Sequence, residues 1–170
     1  VRMVKEAKDN GINVTAEVCP HHFTLTDADI PGDDANYKMN PPLRTREDVD
    51  ALLKGISDGI MEVISTDHAP HSFDEKNTSI EKAPFGIVGL ETAFALSYSE
   101  LVLKNVISLS DLVRCMSANP AKVAGIDRGT LAEGKAADIV LTELDTEYEI
   151  NTDNFRSMGK NTPCGGRKVH

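Results

Sequence analysis

Residues 61–71 read Met-Glu-Val-Ile-Ser-Thr-Asp-His-Ala-Pro-His and carry the strongest structural signal in the chain. Met61 to Ser65 form a short apolar run typical of a buried strand, and the residues that follow are polar and titratable. In a β/α barrel the chemistry lies on loops at the carboxyl ends of the strands. The stretch therefore predicts one unit of such a barrel, with Asp67, His68 and His71 at its functional end.

The segment before this strand predicts an amphipathic helix. Thr45 stands three residues before Asp48, an arrangement similar to a capping box, and Gly59 ends the segment. Its apolar residues fall at helical spacing: Val49, Leu52, Leu53, Ile56 and Ile60. A helix that leads into a strand is the repeating unit of a β/α barrel, so this segment supports the same fold.

An earlier strand repeats the pattern. Residues 12–18 alternate and are β-branched, which predicts a strand, and they lead into Cys19, His21 and His22. Adjacent residues on an extended segment point to opposite sides, so we do not expect His21 and His22 to bind one ion together. Packing or a loop hydrogen bond is the favoured interpretation of both, yet the recurrence of histidines after successive strands is the first functional signal.

The rest of the chain predicts loops, helices and then a small β unit. Residues 27–42 form a long loop, and residues 72–89 form a loop of the length typical of lids and binding loops. Further helices are predicted over 90–104, over 109–117 and from Asn119 onward, and strands over 137–141 and 147–150. We therefore divide the α/β chain into a barrel part, residues 1–128, and a β part, residues 129–170.

Composition and charge exclude several classes of protein. The 170 residues contain 18 Lys plus Arg and 27 Asp plus Glu, a net charge of −9, which argues against nucleic-acid or anionic-membrane binding. No apolar run approaches the ~18 residues that span a bilayer, and no secretory signal is present, so a cytoplasmic location is expected. The three cysteines lack a CxxC pair, so reduced thiols are expected. Because Val1 lies within a helical pattern, we expect a fragment of a longer chain; ends that merely fray are the alternative.

Few residues stand out for chemistry. A carboxylate such as Asp67 can bind a divalent ion and exchange a proton with water, but for the isolated motif an Asp that caps the following turn, with exposed histidines beside it, is the favoured interpretation. Asn40 lies beside Pro41 and Pro42, which would hold its amide in place for a planar polar ligand, unless it is only a turn residue. Arg44 is expected to form a solvated ion pair with its acidic neighbours.

Five blocks of sequence, taken together and in order, resemble the dihydroorotases of the amidohydrolase superfamily. The blocks are residues 17–22, 38–44, 65–71, 84–92 and 129–140, and the resemblance extends over nearly the whole chain. It implies a partial (β/α)8 TIM barrel of the metal-dependent amidohydrolase type with a small attached β-sandwich portion. The implied reaction is the reversible hydrolysis of dihydroorotate to N-carbamoyl-aspartate, a step of pyrimidine biosynthesis.

The resemblance also assigns roles to residues. It implies two zinc ions that activate water, with Asp67 as a metal ligand and as the catalytic group that carries the proton between water and the ring nitrogen. Asn40 and His71 correspond to residues that hold the substrate, and Phe85 and Gly86 to a segment that contacts it through the backbone. None of the five histidines corresponds to the family's other zinc ligands, which lie upstream, so we expect the 170-residue polypeptide alone to be inactive and to bind zinc weakly.

Alternatives remain from two classes. Another cyclic amidohydrolase, a hydantoinase or an allantoinase, would share the barrel and Asp67 but differ in the pocket. A noncatalytic dihydroorotase-like scaffold for aspartate transcarbamoylase would need no intact site, and the presence of Asp67, Asn40 and His71 argues against it. Aspartate transcarbamoylase and a second copy of the chain are the partner hypotheses beside the small-molecule substrate.

Overall fold

The computed structural model describes all 170 residues, which form short helices and strands joined by loops. The helices are α1 (Arg2–Asp9), α2 (Pro20–Thr24), α3 (Arg46–Ser57), α4 (Phe73–Lys76), α5 (Ala93–Ser97), α6 (Leu109–Val113) and α7 (Asn119–Ala124). The strands are β1 (Glu17–Val18), β2 (Val63–Ile64), β3 (Tyr148–Glu149) and β4 (Lys168–Val169). Single 3-10 turns cover Asp27–Asp29, Ala35–Tyr37 and Thr152–Asn154.

Strands β1 and β2 form a parallel pair with Glu17 opposite Val63 and Val18 opposite Ile64. Their carboxyl ends therefore lie at the same edge, as the sequence predicts for two barrel units. The strand predicted over residues 12–18 is wrong for residues 12–16, because a strand needs a hydrogen-bonded partner and β2 offers one only at its two residues. Pro20 ends the strand as expected and also begins α2.

Helix α3 confirms the amphipathic pattern. It runs from Arg46 to Ser57 and buries Val49 and Ile56. Thr45 is its N-cap, but the expected cap differs in detail, since the Thr45 hydroxyl donates to the Asp48 carboxylate at 3.2 Å and accepts no backbone N–H.

The first core cluster packs the parallel strands against the helices. Its buried members are Val18, Phe23, Ile56, Met61, Ile64, Tyr98, Leu101, Leu112 and Cys115. Leu101 and Leu112 have no exposed surface, which shows how tightly α5, α6 and the turns after them close over β1 and β2. This packing fixes the edge at which both strands end.

The helix predicted over residues 90–104 is shorter than expected, whereas helical structure covers residues 109–118 and a further helix begins at Asn119, as predicted. Helix α5 begins at Ala93 instead of Leu90 and continues as a π-helical turn over Tyr98–Val102. Helix α6 begins at Leu109, is capped by Ser108 through a capping box, and leads through a second π turn, Arg114–Ala118, into α7. Pro120, which has no N–H to donate, lies directly after this π turn.

The end of the chain differs most from expectation. No strand forms over residues 137–141, and Val140 and Leu141 are 83% and 95% exposed. Residues 147–150 contribute β3, which pairs with β4 in an antiparallel ladder. A β-branched run becomes a strand only where another strand satisfies its backbone, and within these 170 residues none lies beside 137–141.

A second core cluster joins the last residues to the loops of the first half. Its buried members are Leu25, Met39, Leu43, Ile87, Ala95, Leu96, Ile150, Cys164 and Val169. Residues 148–170 therefore pack against the segments that precede and follow β2. None of the helices has the length and apolar character needed to cross a membrane.

Candidate functional site

Asp67 stands three residues after β2, exposed at the edge where the parallel strands end. Its φ of 47° lies in the left-handed region, which Asp tolerates better than most side chains. Backbone held in this region is frequent at functional sites. The following helix α4 is capped by Ser72 and not by Asp67, so the capping interpretation of Asp67 is wrong for that helix.

His68 has a structural role. Its Nδ1 accepts hydrogen bonds from the backbone N–H groups of Gly89 and Leu90, both at 3.2 Å. His68 also forms an isolated parallel bridge with Ile87. These contacts hold the segment that follows the long loop beside the end of β2. They also occupy Nδ1 of His68, a histidine that the sequence had suggested for the functional end of the strand.

His71 lies against the segment predicted to touch the substrate. Its Nε2 is 2.9 Å from the carbonyl oxygen of Phe85, so this nitrogen carries the proton and donates. Its Nδ1 faces the Glu75 carboxylate at 3.6 Å. The structure thus brings His71 and Phe85 together across 14 residues.

Gly86 occupies a position that no other residue fits. Its φ is 124°, and an added Cβ would lie 2.5 Å from the Cβ of Ala69 and 3.3 Å from His71 Nε2. The Gly86 N–H donates to the Lys38 carbonyl at 3.0 Å. Segment 85–86 is therefore held between the loop of Asp67–His71 and the loop that carries Asn40.

Asn40 is exposed, two residues beyond the Lys38 carbonyl that accepts from Gly86. Lys76 strengthens the same contact, because its buried ammonium donates to Pro84 O at 3.0 Å and to Lys38 O at 3.4 Å. Burial lowers the pKa of Lys76, and the nearby Lys38 adds to the shift. Lys38 in turn lies 4.6 Å above the ring of Phe85.

Asn161 is a site residue that sequence reasoning missed. Its side chain bonds to the backbone of Ala69, His71 and Gly86, between 75 and 92 residues away. No local pattern marks an isolated Asn before Thr-Pro as part of a site, so only homologous sequences or the fold could have found it.

Cys19, His21 and His22 form a group that could hold a metal ion. Their donor atoms lie within 4.8 Å of one another. The expectation that the two histidines diverge is wrong because they lie on α2 and not on an extended segment, and their ring centroids are 4.2 Å apart. Two contacts support the favoured packing interpretation: Cys19 Sγ lies 3.5 Å from Ser65 Oγ, and His22 Nε2 donates to Pro41 O at 2.7 Å.

His21 is the most perturbed group in this region. Burial lowers its pKa from 6.5 to about 3, and His22 adds to the shift, so the ring is neutral at pH 7. Only 3% of the residue is exposed, and its Nε2 has no hydrogen-bond partner. Burial likewise raises the pKa of the Cys19 thiol, which keeps it protonated.

A cleft of about 380 Å³ opens beside His71, Lys76 and Asn161. Its volume falls in the range of small-molecule sites. However, Asp67, Asn40, Phe85 and Gly86 do not line it. We therefore place the candidate site at the edge that bears Asp67 and not in this cleft.

Curated relatives resemble the chain over nearly its whole length. A protein named dihydroorotase from Geobacillus sp. (strain WCH70) is 54% identical over 168 residues, and one from Bacillus caldolyticus is 56% identical over 166 residues. These matches cover 99% and 98% of this chain but 39% of each relative. The chain therefore spans about two fifths of the length of the curated relatives it matches.

Solved structures agree on the fold. A dihydropyrimidinase from Brevibacillus agri NCHU1002 matches with a TM-score of 0.92 and 31% identity, and an L-hydantoinase from Arthrobacter aurescens with 0.90 and 30%. Each match covers 99% of this chain and 38–39% of the solved one. The fold is that of the TIM-barrel amidohydrolases, whose family is typically metal-dependent. The amidohydrolase family profile matches residues 2–169, and the chain belongs to that family.

Proposed function

We propose that this chain is part of a zinc-dependent dihydroorotase, which hydrolyses the cyclic amide of dihydroorotate and closes N-carbamoyl-aspartate in the reverse direction. The observation that carries the proposal is the placement of Asp67, exposed and in left-handed backbone at the carboxyl end of β2, four residues before His71, whose ring lies against Phe85 and Gly86. Identity above 50% to proteins named dihydroorotase supports the choice of substrate.

In this proposal one residue of the chain transfers the proton and the others bind the substrate. Asp67 accepts a proton from the attacking water and returns it to the ring nitrogen that leaves. We propose that His71, Asn40 and the backbone of Phe85 and Gly86 hold the substrate, which becomes a dianion. His71 would do so by exchanging its hydrogen bond to the Phe85 carbonyl for one to the substrate.

Zinc fits the one donor that this proposal assigns to it. The Asp67 carboxylate is a ligand type that zinc accepts, and its exposure leaves it free to coordinate. Two zinc ions, when bound, would supply Lewis acidity that activates the attacking water. The resemblance assigns most of their ligands to residues other than these 170, which is why we propose that the 170-residue polypeptide alone is inactive.

The finer architecture belongs to the same proposal. We assign residues 1–128 to the carboxyl-terminal part of the barrel and residues 129–170 to part of an attached β-sandwich. The exposed apolar residues Ile139, Val140 and Leu141 support a sandwich strand there, since such a run needs a partner strand. A cytoplasmic location also belongs to the proposal, and a homodimer and a complex with aspartate transcarbamoylase are proposed on the resemblance alone.

Replacing Asp67 in the intact protein tests the catalytic role. Asp67→Asn should lower both hydrolysis of dihydroorotate and closure of N-carbamoyl-aspartate by several orders of magnitude, because the amide cannot carry the proton. Asp74→Asn, on the exposed face of the neighbouring helix α4, removes the same charge and should leave both rates unchanged. Retained activity in Asp67→Asn would show that the proton takes another route.

A second candidate follows from the solved structures, several of which are named hydantoinase or dihydropyrimidinase. The intact protein assayed on dihydroorotate, hydantoin and dihydrouracil at equal concentrations distinguishes the two. We expect turnover of dihydroorotate to exceed that of the other two substrates. Faster hydrolysis of hydantoin or dihydrouracil would assign the protein to that branch of the family.

A further inference from the structure

The side chain of Asn161 joins two loops of the site. It is 5% exposed, its Oδ1 accepts from the N–H of His71 at 2.9 Å, and its Nδ2 donates to Ala69 O and Gly86 O, both at 3.1 Å. The backbone takes part as well, since the Asn161 carbonyl accepts from Val88 N–H at 2.8 Å. One residue thus bonds to both loops at once.

The three backbone groups around this side chain match an asparagine amide. One is an N–H and two are carbonyls, so one acceptor and two donors are required, and the partners themselves fix which end of the amide is oxygen. An aspartate supplies no donor, and a glutamine is longer by one methylene group. The chemistry at this point therefore selects Asn.

The chain around Asn161 also passes close to the backbone of His71. An added Cβ at Gly159 would lie 2.8 Å from His71 O and 2.9 Å from His71 N. The two loops are also bonded to each other directly, because Ala69 N–H donates to Ile87 O at 2.9 Å. Residues 159–161 thus lie directly against the backbone of His71.

We propose that Asn161 is a positioning residue that holds the His71 loop against the Phe85–Gly86 segment and thereby sets the affinity for substrate. The inference rests on the proposed function, in which His71, Phe85 and Gly86 contact the substrate. Asn161 itself acts through these residues, because its hydrogen bonds all go to backbone groups of the two loops.

Asn161→Asp in the intact protein is the test. It keeps the shape and the Oδ1 acceptor but places a second acceptor against the carbonyls of Ala69 and Gly86. Asn151→Asp is the matched control, since it adds the same charge in the same terminal segment and preserves the acceptor that caps Asp153 N–H at 2.9 Å.

We expect the KM of Asn161→Asp for dihydroorotate to rise by about tenfold or more while kcat stays within about threefold, the pattern of lost binding. Asn151→Asp should change neither constant. A residue that only stabilised the fold would lower the melting temperature and leave the KM of the folded enzyme unchanged. That result would overturn the proposal.

Hydrogen exchange separates this inference from the proposed function, because it needs no substrate. Peptides covering residues 66–72 and 84–89 should exchange faster together in Asn161→Asp, whereas peptides from α3 should not change. If the intact wild-type protein fails to turn over dihydroorotate, the proposed function is wrong. The exchange result alone then tests whether Asn161 holds the two loops together. Unchanged exchange in both peptides, or a uniform rise along the whole chain, would contradict it.

Discussion

Gly86 combines a positive φ with close packing of its neighbours. Its φ of 124° lies in a region that side chains rarely adopt, and the space beside it is filled by Ala69 and the ring of His71. Gly32 has nearly the same φ, 123°, but nothing within 4 Å of an added Cβ. The pair therefore separates the effect of strain from the effect of crowding.

Gly86→Ala should impair the site beyond what strain alone explains. The new methyl group must displace Ala69 or the segment itself, so we expect a rise in KM for dihydroorotate of about tenfold or more, together with lower stability. Gly32→Ala carries the same strain and should lower stability without changing KM. Steady-state kinetics and thermal unfolding of both variants check this. Equal KM values for the two variants would refute the role of crowding.

Hydrogen-bonded caps define where several short elements begin. Reciprocal capping boxes join Thr26 to Asp29, Ser72 to Glu75 and Ser108 to Asp111. The Thr26 N–H donates to the Asp29 carboxylate at 2.6 Å, and this bond holds the pKa of Asp29 below its ordinary 3.8. The turn after α2 is thus stabilised by a charged side chain.

The hydrogen-bonded carboxylate of Asp29 should make the free energy of unfolding depend on pH. Because its pKa is lower in the folded than in the unfolded state, its contribution is present above about pH 4 and is lost as the pH falls through the folded-state pKa. Asp29→Asn should lower the free energy of unfolding at pH 6 and lose less stability than the wild type between pH 6 and pH 3. Urea unfolding at both pH values measures this, with Asp27→Asn as the charge-matched control in the same turn. Parallel loss of stability in wild type and Asp29→Asn would count against the cap.

At the scale of the whole molecule, the chain leaves the core after α7, packs against the first core cluster again at Leu144 and enters the second at Ile150. Residues 127–142 are exposed, whereas Ile150, Cys164 and Val169 are buried in the second core cluster. Arg167 adds an ion pair with Glu100 at 2.8 Å. The last 23 residues, 148–170, are therefore held by packing and not only by the chain that precedes them.

Limited proteolysis should detect this arrangement in the 170-residue polypeptide. Trypsin should cut first at Arg128 and Lys135, which are exposed and outside helices and strands. The two large fragments, residues 1–128 and 136–170, should then elute together in native gel filtration and separate in denaturant, because the second core cluster spans both. First cuts within α3, at Lys54, or fragments that separate without denaturant would contradict the packing described.

Local patterns predicted the parts of this fold that depend on local interactions. The helical spacing of Val49, Leu52 and Ile56 yields α3, and the apolar run before Ser65 predicts a strand that ends shortly before Asp67. The resemblance of five blocks placed the chain among the amidohydrolases, and the family profile confirms that placement. The same reasoning extended β1 by five residues too many and predicted a strand at 137–141, because β propensity reports a suitable side chain and not the presence of a partner.

By itself, then, the sequence determined the family, the helix α3 and the position of Asp67 after an apolar strand. The family follows from five short blocks in a fixed order, and the other two depend on neighbours a few residues apart. Only the tertiary structure decided that His68 docks Gly89, that His71 binds the Phe85 carbonyl and that Asn161 joins both loops. These hydrogen bonds connect residues 14 to 92 positions apart. A contact between such distant backbone groups leaves no periodicity in the sequence, because any residue type can present the carbonyl or N–H that it needs.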